Sequence, residues 1–338
     1  MVKAQKKQNG IRMVTIGGGT GPFAINQELT SYAHVSTIPG MWDSGGSTGI
    51  LRDEMGVLPP GDARQALVSL AESATMREFF NHRLHNGAYE NHAVGNIFLA
   101  GLEELTGSFA QAIEMASDLL KIKGAVLPIT TNKVHLNLRL PDKSVVEGEH
   151  MIGEECADKE YFSKGTTPDL FFSSEATINP KAKKAIEEAD VIVFSAGKLY
   201  SSVGPHFLVK GLVEALKKSN AKKVYVCNLM TLPGQTDGFS VIDHVDALES
   251  LAGESVFDYV IYNTERPSPY LLKNYANEHE EFVTFNKKDF KDKHYIAIGE
   301  ALLSHKVHSR NKHDLLKRTL IRHDGEKVAR ILMRIAFS

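Results

Sequence analysis

The amino-acid sequence predicts an α/β protein with a doubly wound parallel sheet and an inserted layer of helices. Short β-branched runs recur along the chain, and each leads through a glycine-rich or polar turn into a helical period. Between Asp62 and Lys123 the pattern changes to helical periods alone. Parallel strands require crossover connections, and helices in those connections cover both faces of the sheet. The repeated unit therefore predicts the sheet, and the helical stretch predicts the inserted layer.

The repeated units can be placed along the chain. The predicted strands span residues 11–16, 34–38, 189–194, 222–228 and 257–263. The predicted helices of these units span residues 22–32, 205–219, 240–252 and 269–278. Because each helix is long enough to return the chain to the start of a neighbouring strand, these units favour a parallel sheet.

The central part of the chain departs from this repeat. Four helical periods are predicted over residues 62–73, 75–84, 92–105 and 108–120, with Gly107 and Ser108 separating the last two. Residues 125–147 then alternate like antiparallel strands, and residues 148–180 are polar and irregular. We therefore expect residues 1–10 to form a disordered tail and residues 11–338 a single α/β domain. Its helical insertion would span about 62–123, and its β or irregular insertion about 125–180.

Composition excludes several classes of protein. No run approaches the 18 consecutive apolar residues of a membrane span, and the polar start MVKAQKKQNG does not resemble a signal peptide. The two cysteines exclude a disulfide framework. The chain is basic from Lys287 onward, but acidic residues are interspersed and no nucleic-acid motif accompanies them. We expect a cytoplasmic protein that binds no nucleic acid; whether it forms a homo-oligomer stays open.

The stretch TIGGGTGP at residues 15–22 predicts an anion-binding loop. A strand leads into glycines and then into a helix opened by Pro22, which gathers free backbone N–H groups at the positive end of the helix dipole. The third glycine of the dinucleotide fingerprint is replaced by Pro22, and no Gly-Lys-Ser/Thr ends the loop. We therefore expect neither NAD nor a P-loop. The predicted ligand contacts are Gly17, Gly18, Gly19, Thr20 and Gly21.

The stretch WDSGGSTG at residues 42–49 supports two hypotheses. Residues 45–49 match the G-x-S-x-G pattern of a serine hydrolase, but a nucleophile elbow needs a strand directly before it and a long helix after it. Here the strand ends four residues short of the motif, so a phosphate-binding loop is the better interpretation. The predicted ligand contacts are Asp43, Gly45, Gly46 and Ser47.

Asp62, within LPPGDARQ, has two possible roles. Its carboxylate could cap a helix, with Gln65 three residues later completing a capping box. It could instead join Asp43 in holding Mg²⁺, which takes one or two carboxylates together with substrate phosphates and water. The sequence leaves both roles open.

A third loop, FSAGKLYSS at residues 194–202, follows another strand. Ser195 and Lys198 have the Ser-x-x-Lys spacing of penicillin-binding proteins, but the other elements of that active site are missing. A turn of small residues that leads into a helix, with Lys198 and hydroxyl groups nearby, fits a second phosphate site. An ordinary turn with an exposed lysine is the alternative.

Taken together, these motifs resemble the gluconeogenesis factor family of bacteria. The resemblance rests on IGGGTG, DSGGSTGILRDEMGVLPPGDARQALVSLAE, VGNIFLAGL, LYSS, KKVYVCNLMTLPGQTDGF and LIRHDGEKVAR, which occur in the family's order over nearly the whole chain. That family is related to 2-phospho-L-lactate transferase. The resemblance implies a Rossmann-like three-layer core, a cytoplasmic location, a UDP-sugar such as UDP-N-acetylglucosamine as ligand, and roles in gluconeogenic growth, cell shape and peptidoglycan precursor supply.

The resemblance also assigns residues. It implies that Asp43 and Asp62 hold the metal, although Ser44 stands where the family usually has a second adjacent acid. In the third loop Lys198 replaces the family's usual serine and adds a cation where a diphosphate would lie. The ligand contacts implied in this loop and in CNLMTLPGQTDG are Gly197, Lys198, Tyr200, Ser201, Asn228 and Thr231.

Two functions follow from the resemblance. The first is a nucleotide-sugar-binding protein whose site lies at the carboxyl ends of the parallel strands. The second is a Mg²⁺-dependent transferase that moves a phospho-acyl group from a nucleotide diphosphate donor to an alcohol. We predict the binding protein and keep the transferase as the alternative. Whether any reaction is catalysed, and whether a metal binds beside Ser44, stays open.

Overall fold

A parallel sheet of seven strands runs through the part of the chain that the computed structural model describes, residues 10–19, 21–155, 162–305 and 321–338. In chain order the strands are β1 (Ile11–Ile16), β2 (Ala33–Ile38), β3 (Ala125–Val126), β4 (Leu136–Arg139), β5 (Val145–Glu147), β6 (Asp169–Phe172), β7 (Val191–Phe194), β8 (Lys222–Val226), β9 (Tyr259–Asn263) and β10 (Ile296–Glu300). The large sheet has the order β10-β9-β8-β7-β1-β2-β3 with parallel neighbours throughout. The predicted doubly wound α/β fold is confirmed.

Helices cover both faces of this sheet. They are α1 (Gly21–Leu29), α2 (Gly46–Met55), α3 (Pro60–Leu70), α4 (Ala74–Asn81), α5 (Val94–Thr106), α6 (Phe109–Leu120), α7 (Glu149–Glu155), α8 (Pro180–Glu188), α9 (Leu212–Lys218), α10 (Val241–Ala252), α11 (Pro269–Ala276) and α12 (Gly325–Phe337). Shorter helical turns occur at Leu199–Val203, Gly204–Leu208 and Lys287–Phe290. In the described ranges no helix is both long and apolar enough to cross a membrane.

The alternation of side chains along β7 explains the three layers. Val191 and Val193 pack into the apolar core on one face of the sheet, and Ile192 and Phe194 pack into the core on the other. Successive side chains of a strand point to opposite faces, so a strand covered on both sides reads as a continuous apolar run. All four residues are buried, as this position in the sheet requires.

The order of the strands reverses between β1 and β7. From β1 the chain adds β2 and β3 on one side, and it later adds β7, β8, β9 and β10 on the other. The loops that leave β1 and β7 come together at the carboxyl ends of the strands, since a Cβ at Gly21 would overlap the Ala196 carbonyl. Doubly wound sheets bind their ligands in a crevice at this reversal, outside the carboxyl ends of the strands.

One predicted helix, residues 205–219, is wrong as a continuous element. The chain forms the short turn Gly204–Leu208, leaves helical geometry, and then forms α9. At the break the Lys210 N–H donates to the Ala176 carbonyl at 2.8 Å, and the Lys210 carbonyl accepts from the Ile178 N–H at 3.0 Å. Gly211 then adopts a φ of 96°. These hydrogen bonds to a distant segment replace the hydrogen bonds that a continuous helix would make. A periodic sequence pattern cannot reveal this replacement.

A second, antiparallel sheet lies beside the large one. Its strands have the order β5-β4-β6, and α7 follows β5. Leu136, Leu138 and Val146 from this sheet share one apolar core with Trp42, which lies just beyond β2. The small sheet and α7 therefore pack against the loop that carries WDSGGSTG.

A buried polar network joins the elements beneath the first glycine loop. The Asn26 amide donates to the Thr37 hydroxyl at 2.8 Å and to the Ser69 hydroxyl at 3.1 Å. Thr15 lies 3.0 Å from both the Asn26 carbonyl oxygen and the Thr37 hydroxyl. Buried polar groups are costly unless they are paired, and these pairs fix β1, β2, α1 and α3 against one another.

Candidate functional site

Four loops that carry predicted ligand contacts leave adjacent strands at the crevice. They follow β1, β2, β7 and β8, which are consecutive in the sheet. The Gly17 N–H donates to the Ile38 carbonyl at 3.3 Å, and the Ser195 N–H donates to the Ile16 carbonyl at 3.0 Å. The structure therefore brings the glycine loop, the Asp43 loop and the Lys198 loop to one edge. Thr20 lies outside the described residues.

Asp62 lies directly against the glycine loop. The Gly19 N–H donates to Asp62 Oδ1 at 2.7 Å, and a Cβ atom at Gly18 would overlap the Asp62 carboxylate. Helix α3 begins at Pro60 after Pro59, and no side-chain hydrogen bond caps it. The predicted capping role of Asp62 is therefore wrong, because its carboxylate turns away from its own helix to accept from the loop after β1.

Asp43 lies beside Asp62. The Gly45 N–H donates to Asp43 Oδ1 at 2.9 Å, and a Cβ at Gly61 would lie 2.6 Å from Asp43 Oδ2. Burial, followed by the negative charge of Asp43, raises the pKa of Asp62 to about 7, against the opposing effect of the Gly19 N–H. Because two close carboxylates resist ionising together, Asp62 can hold or release a proton near neutral pH.

Glu149 is a third acid at this site, which the sequence did not predict. Burial raises the pKa of Glu149; Lys198 opposes this shift and Asp43 reinforces it. Lys198 Nζ lies 3.8 Å from Glu149 Oε1. Glu149 falls within residues 148–180, where the sequence shows no spacing pattern. Only the packing of α7 onto the Asp43 loop brings it here, including the His150 N–H that donates to Ser44 Oγ at 2.9 Å.

The predicted metal ligands Asp43 and Asp62 have restricted freedom to bind a cation. One oxygen of each carboxylate accepts a backbone N–H, from Gly45 and Gly19 respectively. Across the described ranges, no group of three or more His, Cys, Asp or Glu side chains is arranged to hold a metal ion. Mg²⁺ often uses one or two carboxylates and completes its shell with phosphate oxygens and water, so the remaining oxygens of this pair could share Mg²⁺ with water and a phosphate-bearing ligand.

Asn228 organises the third loop through its side-chain amide. Asn228 Nδ2 donates to the Gly197 carbonyl at 2.8 Å, and Asn228 Oδ1 accepts from Tyr225 Oη at 3.2 Å and from the Gly197 N–H at 3.4 Å. Lys198 follows directly, with 47% of its side chain exposed. Asn228 thus holds the backbone from which Lys198 extends into the crevice.

Three predicted ligand contacts are buried in this structure. Tyr200 is fully buried, with its ring stacked on Phe162 at a centroid distance of 4.6 Å, and burial raises its pKa. Ser201 is fully buried; its carbonyl accepts from Trp42 Nε1 at 2.8 Å, and its side chain lies beside the Glu149 carboxylate. Thr231 is buried, and its hydroxyl accepts from a backbone N–H of a distant loop at 2.8 Å. Tyr200 and Thr231 therefore support the loops from within the core, whereas Ser201 borders the site.

Ser47, another predicted contact, belongs to a buried network. It lies in the first turn of α2, and its hydroxyl is 3.1 Å from His92 Nδ1 and accepts from Asn96 Nδ2 at 3.1 Å. Asn96 Oδ1 in turn accepts from Arg64 Nε at 2.7 Å. A nucleophile elbow would place this serine directly after a strand and expose it. The hydroxyl instead joins α2 to α5.

Replacing Asn96 with leucine is expected to lower the free energy of unfolding by about 2–4 kcal/mol. Asn96 is 1% exposed, and its loss would leave the buried Arg64 guanidinium and the Ser47 hydroxyl with fewer partners. Urea unfolding measures the change. Asn220→Leu, at an exposed position, serves as the control, with an expected change within about 0.5 kcal/mol. Equal stability of the two variants would contradict the assigned network.

Comparison with known proteins identifies a matching family and several similar proteins. The family described as 2-phospho-L-lactate transferase CofD matches residues 13–303 of the chain. A gluconeogenesis factor from Halalkalibacterium halodurans is 34% identical over 331 residues, covering 97% of this chain and 96% of that protein. A gluconeogenesis factor from Listeria monocytogenes is 33% identical over 333 residues, with the same coverage.

A solved structure shares the fold. The crystal structure of a UPF0052 family member from Bacillus halodurans superposes with a TM-score of 0.84 at 32% sequence identity. The match covers 96% of this chain and 99% of that one. The shared architecture therefore includes the large sheet, the helical layer and the small antiparallel sheet.

Proposed function

Because the chain belongs to the 2-phospho-L-lactate transferase CofD family, and because glycine-rich loops and Lys198 meet at one edge of its sheet, we propose that it is a cytoplasmic nucleotide-sugar-binding protein of the gluconeogenesis factor type. Its ligand would be a nucleoside diphosphate sugar, with UDP-N-acetylglucosamine the first to test. In this role it would link central carbon metabolism to cell shape and cell-wall precursor supply.

The meeting of three glycine-containing loops with a lysine at one edge of the sheet is the observation that carries this proposal. The loops follow β1, β2 and β7, and the last of them presents Lys198 with 47% of its side chain exposed. Glycine-rich backbone and a lysine at the carboxyl ends of parallel strands are features that bind phosphates in doubly wound folds. In this structure the N–H groups of the loop residues Gly19, Gly45 and Gly197 donate to side chains of the protein, so a bound diphosphate would take the place of those acceptors.

A thermal-shift series tests the proposal directly. The protein would be heated with UDP-N-acetylglucosamine, UDP, uridine, GDP or NAD, each with Mg²⁺ and with EDTA. We expect UDP-N-acetylglucosamine and UDP to raise the melting temperature, because a ligand that binds only the folded state stabilises it. Uridine and NAD should have little effect. If no nucleoside diphosphate raises the melting temperature, the proposed function is wrong.

The adjacency of Asp43 and Asp62 favours one second candidate, a Mg²⁺-dependent transferase of the 2-phospho-L-lactate type. In that case the pair would hold a metal that neutralises charge on a leaving nucleoside diphosphate. The same series separates the two functions. A shift that is selective for GDP and requires Mg²⁺ favours the transferase, and a UDP-sugar shift that persists in EDTA favours the binding protein.

A further inference from the structure

We propose that Lys198 is the cation that receives the ligand's diphosphate, that Glu149 holds it in place before binding, and that this arrangement makes binding independent of a metal ion. The inference rests on the proposed function, because it names the group that satisfies the charge of the nucleoside diphosphate sugar.

The two partners of this ion pair differ in their freedom to move. Lys198 Nζ and Glu149 Oε1 are 3.8 Å apart, which is loose for a charge-assisted hydrogen bond. The Glu149 side chain is 11% exposed, and the Lys198 side chain is 47% exposed. A buried carboxylate is costly to move, whereas a half-exposed lysine changes its direction by rotating its four-carbon stem. The ammonium is therefore the group that can leave the pair to meet a phosphate.

Glu149 is held in place by its own backbone and by the Asp43 loop. Gly148, at a φ of 93°, donates its N–H to the Leu136 carbonyl at 2.8 Å, so β4 fixes the start of α7. The next residue, His150, donates its N–H to Ser44 Oγ at 2.9 Å. These contacts fix the backbone of Glu149, and burial together with the adjacent Ser201 side chain holds the carboxylate, so it offers Lys198 a stationary partner.

The acidic residues around the crevice would repel a diphosphate, so its binding requires a cation there. Asp43, Asp62 and Glu149 lie close enough that the charge of Asp43 acts on both of the others. A diphosphate that approaches these acids is repelled by each one that is ionised, unless a positive charge comes with it or already waits there. Lys198 extends from the loop after β7, which lies against the start of α1, since a Cβ at Gly21 would overlap the Ala196 carbonyl. A diphosphate at the glycine loop would therefore meet the ammonium from the neighbouring loop.

Calorimetric titration with UDP-N-acetylglucosamine in EDTA tests the proposal with three variants. Lys198→Met keeps the stem and removes the charge, and it should weaken binding about 10- to 100-fold, the range expected for a hydrogen bond to a charged group. Lys198→Arg should retain most of the affinity. Glu149→Gln should strengthen binding several-fold, because it removes both the competing partner and one negative charge. Adding Mg²⁺ should change wild-type affinity less than threefold.

The outcomes separate this inference from the proposed function. If wild type binds UDP-N-acetylglucosamine in EDTA and Lys198→Met binds equally well, Lys198 is not the receiving cation and the proposed function stands. If wild type binds only with Mg²⁺, or if Glu149→Gln weakens binding, the metal-independent arrangement is wrong. If wild type binds none of the nucleoside diphosphates, both proposals fall together. Circular dichroism of each variant shows whether a loss of binding reflects a loss of fold.

Discussion

Lowering the pH from 7 to 5 is expected to reduce the free energy of unfolding by about 4 kcal/mol through two buried histidines. His206 and His244 are both fully buried, and burial lowers the pKa of each from 6.5 to about 4. The unfolded chain takes up these protons near pH 6.5, whereas the folded protein resists them until about pH 4. Their stabilising effect is complete above pH 6.5 and is lost as the pH falls toward 4.

The surroundings of each histidine explain the shift. His206 Nδ1 lies 3.0 Å from the Val203 carbonyl, and its ring packs edge-on against Trp42 at 4.8 Å. His244 Nδ1 lies 2.9 Å from the Ser240 carbonyl. Near His244, Asp243 raises the pKa of the histidine and its ion-pair partner Lys164 lowers it. These two effects oppose each other, so desolvation dominates the shift. Each ring is therefore held in its neutral form.

Urea unfolding between pH 7 and pH 4 measures this loss as the slope of stability against pH. The variant His206→Gln/His244→Gln cannot take up these protons, so its slope should correspond to about two fewer protons bound on unfolding. This change in slope can be measured even if the variant has a lower free energy of unfolding at every pH. The control variant His34→Gln, at an exposed position, should have the same slope as the wild type. An unchanged slope in the double variant would show that other groups govern the acid response.

Replacing Gly18 with valine is expected to abolish the rise in melting temperature caused by UDP-N-acetylglucosamine. The new side chain would overlap the Asp62 carboxylate and displace it from the Gly19 N–H, so the loop after β1 could no longer keep its shape. It would also occupy space that the phosphates need. The structure thus supplies a steric reason in addition to the one visible in the glycine-rich sequence.

Gly101→Val provides the matched control for this experiment. Gly101 lies in α5 with no atom within 4 Å of where its Cβ would be, so a side chain there has open space. This variant should keep both its stability and the full ligand response. If Gly18→Val also keeps the full response, the glycine loop does not bind the phosphates.

The sequence predicts β1, β2, β7, β8 and β9 because burial leaves a local signature. Runs such as VIVF in β7 are apolar throughout, as expected where both faces of a sheet are covered. The sequence misses β10, whose residues at the edge of the sheet are exposed or only partly buried, and β6, which falls in the stretch expected to be irregular. The expectation of antiparallel strands from residue 125 onward is wrong for β3, which pairs in parallel with β2.

The broken helix after β7 is different. Its break depends on hydrogen bonds between Lys210 and residues 176–178, more than thirty positions away. Sequence periodicity describes only the neighbours of a residue along the chain. It cannot show that hydrogen bonds to a distant segment compete with those of the helix.

The candidate site likewise contains residues that could be predicted from the sequence and one that could not. Asp43, Asp62 and the glycine loop could be predicted because each follows a strand or opens a helix with a recognisable motif. Glu149 could not, because its role arises from the packing of α7 and the small sheet. Nor could the sequence show which way a motif residue faces: Tyr200 belongs to the same loop as Lys198, yet its ring points into the core and stacks on Phe162.

The buried network of Thr15, Asn26, Thr37 and Ser69 has a consequence for the strength of ligand binding. It joins β1, which leads into the glycine loop, to α3, which carries Asp62. These two parts of the site are thus ordered when the protein folds. Because binding need not immobilise them, the associated entropy loss does not weaken ligand affinity. Adjustment to the ligand is left to the half-exposed side chain of Lys198.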